Sequence, residues 1–176
     1  MNPAEKIGEI LLYFLPALVV LLAVYMLIKK FLDNSYKLRL LEAKRAIQKE
    51  VLPLRLNAYE RICLLLERIS PNNLLVRTNR SGMSARELQT ELLAAIRAEY
   101  EHNLSQQVYV SQRSWDATKN AKEDIVRLIN SAAASAGQDA TSMQLSKIIL
   151  EIMLKNETTP IQRALELIKA EAREIL

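Results

Sequence analysis

Histidine, cysteine and glycine are scarce in this sequence, whose 176 residues include one His, one Cys and three Gly. One cysteine cannot form an internal disulfide or a Cys-x-x-Cys pair, and one histidine cannot supply a multi-histidine metal site. The glycines Gly8, Gly82 and Gly137 lie too far apart to form a glycine-rich phosphate loop. We therefore predict that the chain is not an enzyme and has no cofactor or metal site.

Aromatic residues are also few, at 5% of the chain, and they are not interleaved with the basic residues. Proteins that bind single-stranded nucleic acid combine a basic groove with aromatic side chains on which bases stack. The composition therefore does not favour nucleic acid as a partner. A hydrophobic fraction of 50% excludes a disordered chain, and the length allows one domain with an added segment.

A long uncharged run near the N-terminus covers residues 10–28, which are 19 residues without one charge. A helix of that length spans roughly 29 Å, close to the ~30 Å hydrocarbon core of a bilayer. Membrane helices tolerate a proline such as Pro16. Tyr13 and Tyr25 lie toward the two ends of the run, where aromatic rings favour the membrane interface. We predict one membrane span here, within an anchor over residues 1–30.

A cleaved secretory signal is the alternative explanation of this run. Signal peptides have a basic start, an apolar stretch of roughly 7–15 residues and a cleavage site of small residues. Here the start contains Glu5, Lys6 and Glu9, and the run is followed by Lys29-Lys30-Phe31. A retained anchor fits the sequence better.

Basic residues are distributed unevenly on the two sides of the predicted span. Only Lys6 precedes the span, whereas seven basic residues lie within residues 29–49. Because the positive flank of a membrane helix stays in the cytoplasm, we predict an outside N-terminus and a cytoplasmic chain from residue 29 onward. The free thiol of Cys63 fits a reducing compartment.

The basic excess extends beyond the membrane flank. Residues 29–86 contain 13 Lys/Arg and 5 Asp/Glu, a net charge of +8, whereas residues 87–176 contain 10 and 13, a net charge of −3. Attraction to anionic lipid headgroups explains a basic half next to the membrane. The predicted headgroup contacts are Lys29, Lys30, Lys37, Arg39, Lys44 and Arg45. The alternative function is therefore a protein that contacts anionic lipid or nucleic acid through this half.

A short apolar stripe follows the span within a predicted basic helix over residues 31–52. Its members Tyr36, Leu40, Ala43 and Ile47 are spaced 4-3-4, as in a heptad repeat. The stripe is either a short oligomerising stalk or the edge of a helix that lies on the next element. Because basic residues surround it, we expect weak self-association and tighter binding to an acidic partner helix. Candidate partner-interface residues are Tyr36, Leu40, Ala43 and Ile47, together with Arg55, Arg61 and Arg68 on the next helix.

The remaining residues, 53–176, predict a cytoplasmic bundle of about five helices in an all-α fold. Pro53 is expected to end or kink the preceding helix and to begin the next, whose apolar face runs from Tyr59 to Ile69. A stop and turn is expected at Ser70-Pro71-Asn72-Asn73, and residues 74–76 are expected to form an extended or single-turn connector. At this size the bundle can bury its own core.

Cap and stop signals divide the rest of the bundle. Ser84 and Glu87 form a capping-box pattern that opens a helix to about Gln107, followed by a β-prone break at residues 108–110. The next helix is capped by Ser111 or Ser114 and stopped at Gly137. Asp139 or Thr141 opens the following helix, and Thr159-Pro160 opens the last one.

Two further segments have a functional appearance. Glu99 and His102 form a Glu-x-x-His pattern, as in di-iron bundles, but such sites need two of these motifs, and this sequence has only one His. A hydrogen-bonded histidine is the better interpretation. The uncharged, polar segment 102–111 is either a binding surface or a conformational switch between helices.

Several stretches resemble a family of uncharacterised single-pass membrane proteins from Bacteroidota. They are LPLRLNAYER at residues 52–61, LERISPNNL at 66–74, IRAEYEHNLSQQ at 96–107 and KNAKE at 119–123. The resemblance covers most of residues 30–130 and implies a bacterial inner-membrane setting, without an activity, cofactor or catalytic residue. We therefore expect a non-enzymatic, membrane-anchored accessory subunit, scaffold or assembly factor with at least one protein partner.

Overall fold

The computed structural model describes residues 3–155 and 158–175, with side chains from Phe14 onward, so the predicted role of the Tyr13 ring lies outside the described side chains. Its helices are α1 (Pro3–Arg68), α2 (Pro71–Thr78), α3 (Ala85–His102), the 3-10 helix η1 (Leu104–Val108), α4 (Gln112–Ala136), α5 (Ser142–Leu154) and α6 (Pro160–Glu174). No strand occurs among the described residues, which confirms the prediction of an all-α fold.

Contacts between Cα atoms divide the chain into two units, Met1–Glu50 and Val51–Leu176. From Phe14 onward the first unit is helix α1, and its side chains are exposed except for the half-buried Ser35. The second unit contains the hydrophobic core. The described side chains of the first unit are therefore almost all exposed, whereas the second unit encloses a buried core.

Helix α4 is central to the second unit, where it packs against α3, α5 and α6. Its inward face places Trp115 in the core, together with Ala121, Ile125 and Ile129 at four-residue spacing. Burying a large apolar side chain stabilises a fold by about 1.5–3 kcal/mol. Fully buried core residues outside α4 include Ile62, Leu66, Ile69, Leu88, Leu92, Ile96, Leu145, Ile149 and Ile168.

The predicted starts of α3, α4, α5 and α6 are confirmed, and those of α3 and α5 lie side by side. Ser84 and Thr141 each complete a capping box at the start of α3 and α5. The N–H of Ala85 donates to the carbonyl of Ala140 at 2.8 Å, and the two cap residues form an isolated antiparallel bridge. Thr159 caps α6 before Pro160 in the same way, and Ser111 caps α4. Each side-chain cap satisfies an N–H that lacks an intrahelical partner.

Gly137 follows the last residue of α4 with a φ of 88°, as the sequence predicts. That region of φ costs an ordinary residue steric energy that glycine does not pay. The glycine therefore ends α4 and lets the chain turn toward α5.

The sequence predicts that Pro53 ends or kinks the helix and begins a new one; the end and the new start are wrong, because α1 continues through Pro53 to Arg68. Proline removes one hydrogen bond, to the carbonyl four residues earlier, and leaves the other bonds of the helix in place. Starting a new helix would require a separate and costly nucleation step. Continuing an existing helix across a single lost bond is therefore favourable here.

The connector predicted at residues 74–76 is also wrong, because these residues lie within α2. Ser70 and Pro71 occupy the cap and the first helical position, and the N–H of Leu74 donates to the carbonyl of Ser70 at 2.9 Å. Leu74 and Leu75 are buried while Val76 is 86% exposed, which is a helical pattern. The proline therefore starts a helix rather than a turn.

Helix α3 ends at His102 and not near Gln107. The side-chain amide of Asn103 donates to the carbonyl of Glu99 at 2.9 Å, and its backbone N–H donates to the carbonyl of Tyr100. Asparagine side chains compete with helical hydrogen bonding in this way. The chain then tightens into η1, so the predicted break at residues 108–110 occurs without a strand.

Candidate interaction surfaces

The apolar segment of α1 is exposed throughout its described length. Every side chain in residues 14–28 is exposed, including Phe14 at 72% and Leu27 at 67%. One helix in the described part of the chain is long and apolar enough to cross a membrane, and no residue in its most apolar stretch is buried. The core helix of a soluble protein would be mostly buried, so this segment differs from such a helix.

The basic residues after this segment are exposed as well. Lys29, Lys30, Lys37, Arg39, Lys44 and Arg45 all present side chains to solvent. None of them takes part in an ion pair with another described side chain. Their positive charge is therefore available to an external partner.

The apolar stripe on the same stretch of α1 is open too. Tyr36 is 70% exposed, Leu40 46% and Ile47 62%. Residues spaced 4-3-4 lie along one side of a helix. The structure therefore brings the four stripe residues onto one exposed face, as their spacing predicts.

The three arginines predicted at a partner interface have different surroundings. Nε of Arg55 donates to the carbonyl of Tyr109 at 3.2 Å, and Nε of Arg68 lies 2.7 Å from Oε1 of Glu99. Arg61 is exposed, and no ion pair to it occurs within the described side chains. Two of the three charges are thus used inside the second unit, and Arg61 remains the most accessible to a partner.

Glu99, half of the Glu-x-x-His pattern, is an ion-pair acceptor for two arginines. Its Oε1 lies 2.7 Å from Nε of Arg68 and 3.4 Å from Nη1 of Arg77, and its side chain is 16% exposed. His102 is exposed at the last turn of α3. The described side chains contain no group of three His, Cys, Asp or Glu residues that could hold a metal ion. The structure thus gives Glu99 a role in joining α1, α2 and α3.

A carboxylate that sequence reasoning missed, Glu171 on α6, collects three hydroxyl groups. The hydroxyl of Tyr59 donates to its Oε1 at 2.7 Å, and the hydroxyl of Ser111 donates to its Oε2 at 2.7 Å. The fully buried Ser114 hydroxyl also donates to Oε2. This cluster joins α1, the start of α4 and α6. The three donors lie 57 to 112 residues from Glu171, so no local sequence signal connects them to it.

The electrostatics of this cluster favour an ionised Glu171. Burial by itself raises the pKa of Glu171, but the hydrogen bonds from Ser114, Ser111 and Tyr59 and the charge of Arg55 together lower it below its usual value. Burial, followed by the hydrogen bond to Glu171, raises the pKa of Tyr59. A charged acceptor and neutral hydroxyl donors form a stable arrangement. The cluster therefore links α1, the start of α4 and α6 through hydrogen bonds to one carboxylate.

An open groove of about 400 Å³ lies between α3 and α4. The rings of Tyr100 and Trp115 stack with centroids 5.5 Å apart, and Nζ of Lys122 lies 4.5 Å from the centroid of Tyr100. Tyr100 and Lys122 line the groove together with apolar side chains of Leu93, Ile96, Leu104 and Val126. Stacking of the two rings and the cation over Tyr100 stabilise the contact between α3 and α4 in addition to the burial of apolar area.

Cys63 is half-buried against the core. Burial raises the pKa of the Cys63 thiol, an effect that Lys169 partly opposes and that Glu67 and Glu60 reinforce. A raised pKa lowers the fraction of reactive thiolate. These surroundings favour an inert thiol.

The model of a family of unknown function, DUF7935, matches residues 5–175. The chain belongs to this family. No curated protein and no solved structure matches the chain.

The match to DUF7935 covers both units of the structure. The stretches that carry the sequence resemblance lie at the end of α1 with the start of α2, across the junction of α3 and η1, and within α4. They contain Tyr59, Arg68, Glu99, Tyr100 and Lys122, which are members of the internal contacts described above. These motif positions therefore have a structural role in the second unit.

Proposed function

We propose that this chain is a non-enzymatic membrane protein with a single span, and that it serves as an accessory subunit, scaffold or assembly factor at the cytoplasmic face of the bacterial inner membrane. The exposure of every side chain in residues 14–28 is the observation that carries the proposal. Fifteen consecutive side chains in water would cost the chain much of what a folded core supplies, whereas lipid is a favourable solvent for them.

The orientation in this proposal rests on charge. Seven basic residues follow the span and one precedes it, which favours a cytoplasmic second unit. Lys29 and Lys30 lie directly after the apolar segment and are exposed, so they fit the headgroup region. The second unit then presents its surface to cytoplasmic proteins.

The internal use of charged groups supports a scaffold over an enzyme. Glu99 binds Arg68 and Arg77, and Glu171 accepts three hydroxyl groups. Carboxylates in catalytic sites are held so that a reacting group can reach them, whereas these two are occupied by structural partners. Their chemistry stabilises a shape that can be recognised by another protein.

The proposal is tested by purifying the full chain from its own membranes in a mild detergent and washing it at low and high salt. We expect one or more proteins to remain bound in fixed stoichiometry at high salt, because packed interfaces are less salt-sensitive than phosphate contacts. A chain that purifies alone under both conditions would contradict a scaffold or accessory role.

The second candidate is a protein that works through anionic lipid, and the exposure of the six basic side chains at residues 29–45 favours it. In that case the purified chain would retain anionic lipid at low salt and lose it at high salt, with no protein partner. Retention of nucleic acid with the same salt dependence would indicate the remaining alternative.

A further inference from the structure

The basic residues after the membrane segment lie at very different heights along α1. All of them belong to the first unit, in which the helix continues without a break from the apolar segment to Glu50. With a rise of about 1.5 Å per residue, Lys30 lies about 3 Å beyond Ile28, whereas Arg39 lies about 17 Å and Lys44 about 24 Å beyond it. The basic side chains of this one helix therefore lie at different distances from the hydrocarbon core.

Lipid headgroups are within reach of only the first of these charges. The polar region on each side of the hydrocarbon core is roughly 5–8 Å deep, and electrostatic attraction falls off over a Debye length of about 8 Å. A helix tilt of about 40°, at the upper end for membrane helices, still leaves Lys44 about 18 Å above the core. Lys29 and Lys30 fit headgroups, whereas at the same tilt Arg39 lies about 13 Å above the core, near the outer limit of the attraction, and Lys44 lies beyond it and needs another source of negative charge.

Arg39 and Lys44 flank the exposed apolar stripe in a defined way. If Leu40 and Ile47 occupy the a positions of a heptad repeat, and Tyr36 and Ala43 the d positions, then Arg39 is a g residue and Lys37 and Lys44 are e residues. Side chains at e and g border the a/d seam and select the partner by charge. The stripe is therefore an apolar seam between basic borders.

A second copy of the chain is a poor occupant for this seam. Copies anchored in one orientation would pair in parallel, and Arg39 of one copy would then face Lys44 of the other across both borders. Like charges in facing e and g positions oppose pairing. The charge pattern instead matches a helix that carries carboxylates beside its own apolar seam.

We propose that the face formed by Tyr36, Leu40, Ala43 and Ile47 docks an amphipathic helix of a partner protein with Asp or Glu at the positions that face Arg39 and Lys44. The inference rests on the proposed membrane anchor, which fixes the height of the face above the bilayer. The partner of the proposed scaffold would then be a protein with an acidic amphipathic helix.

The test uses the full chain in nanodiscs of zwitterionic phosphatidylcholine and two synthetic helical peptides of three heptads. Both peptides carry Leu at a and d, and they differ only in Glu or Lys at e and g. We expect the Glu peptide to bind at least about tenfold more tightly than the Lys peptide, which corresponds to a difference in binding free energy of about 1.4 kcal/mol. Equal binding of the two peptides, or binding of neither, would overturn the proposal.

Charge reversal provides the matched variant. Arg39→Glu with Lys44→Glu should reverse the preference toward the Lys peptide, whereas Lys29→Glu with Lys30→Glu should leave it unchanged. Leu40→Ser with Ile47→Ser should abolish binding of the Glu peptide without altering the charge. If the reversed chain still prefers the Glu peptide, then Arg39 and Lys44 do not border the docking face and the proposal fails.

Contact of this face with lipid is the competing outcome. In a Cys63→Ala chain, a fluorescent label at Lys44→Cys should be quenched by aqueous iodide to the same extent in phosphatidylcholine and in phosphatidylglycerol nanodiscs. Protection of that label by the anionic lipid would place the face on the bilayer and overturn the proposal. A chain that enters nanodiscs but shows no peptide preference contradicts the docking face alone, whereas a chain that does not enter them contradicts the membrane anchor as well.

Discussion

Leu22 and Leu66 lie on the same helix, α1, and have opposite surroundings. The side chain of Leu22 is 46% exposed, whereas that of Leu66 is fully buried. Leu22 belongs to an uninterrupted apolar run. Around Leu66, charged residues interrupt the apolar ones, which recur at helical spacing on one face. Helix α1 thus combines two kinds of apolar surface, one that is exposed all around and one that has a single packed side.

The largest effect is expected from charges in the apolar run. Leu18→Arg with Leu22→Arg should abolish membrane integration, because an arginine at the centre of a span costs about 2.5–3.5 kcal/mol on insertion scales. The measurement is the fraction of the chain that stays in membranes after alkaline carbonate extraction. Leu18→Ile with Leu22→Ile is the matched control and should stay in the pellet, and an arginine variant that also stays there would contradict the anchor.

The next effect concerns the packed side of the same helix. Ile62→Ala should lower the free energy of unfolding by about 2–5 kcal/mol, because the side chain is fully buried. Leu64→Ala is the control two residues away, and with a side chain that is 60% exposed it should change stability by less than about 0.5 kcal/mol. Fluorescence of Trp115, which is the sole tryptophan and is buried, reports unfolding of the full chain in detergent. Equal losses in the two variants would contradict the assigned core face.

A smaller and pH-dependent effect is expected at the Glu171 cluster. The pKa of Glu171 is lower in the folded than in the unfolded chain, so the ionised carboxylate stabilises the fold above the unfolded value of about 4.3. That stabilisation is lost as the pH falls through the folded pKa. The difference in unfolding free energy between the wild type and Glu171→Gln should therefore shrink as the pH is lowered from 6 to 3.

Tyr59→Phe is the companion variant for this cluster. It removes one hydroxyl donor to Glu171 and should cost about 1–3 kcal/mol at neutral pH, since the acceptor is charged. A difference between wild type and Glu171→Gln that stays constant over the whole pH range would show that the carboxylate does not contribute through its charge.

The smallest effect separates two arginines on α1. Arg68→Ala breaks an ion pair with Glu99 and should cost at most about 1 kcal/mol, because the Arg68 side chain is more than half exposed. Arg61→Ala should leave stability within about 0.5 kcal/mol and change partner binding instead. Urea titration of both variants measures the first expectation. A larger stability loss for Arg61→Ala than for Arg68→Ala would contradict the assigned contacts.

The parts of this structure that were predictable from sequence are those encoded by neighbouring residues. The capping boxes at Ser84 and Thr159 and the helix stop at Gly137 each depend on a few adjacent positions. The buried faces of α4 and α6 follow from the helical period. Local chemistry of this kind acts in the same way wherever the segment lies in the fold.

The parts that sequence reasoning missed depend on tertiary contacts or on continuity. The path of α1 through Pro53 depends on helix on both sides, and proline alone predicts a break. The convergence of Tyr59, Ser111 and Ser114 on Glu171 joins residues from three segments that are distant in sequence. The split use of Arg55, Arg61 and Arg68 likewise depends on which carbonyls and carboxylates the fold brings near them.

The most direct test of the account is the side of the membrane on which each part of the chain lies. A maleimide reagent that cannot cross membranes would be applied to spheroplasts that express a Cys63→Ala chain with either Asn2→Cys or Gln112→Cys, with permeabilised cells as the control for reactivity. We predict that Asn2→Cys is labelled in intact spheroplasts, whereas Gln112→Cys is labelled only after permeabilisation. Labelling of Gln112→Cys but not Asn2→Cys in intact spheroplasts would contradict a cytoplasmic second unit, and labelling of both would contradict a membrane span between them.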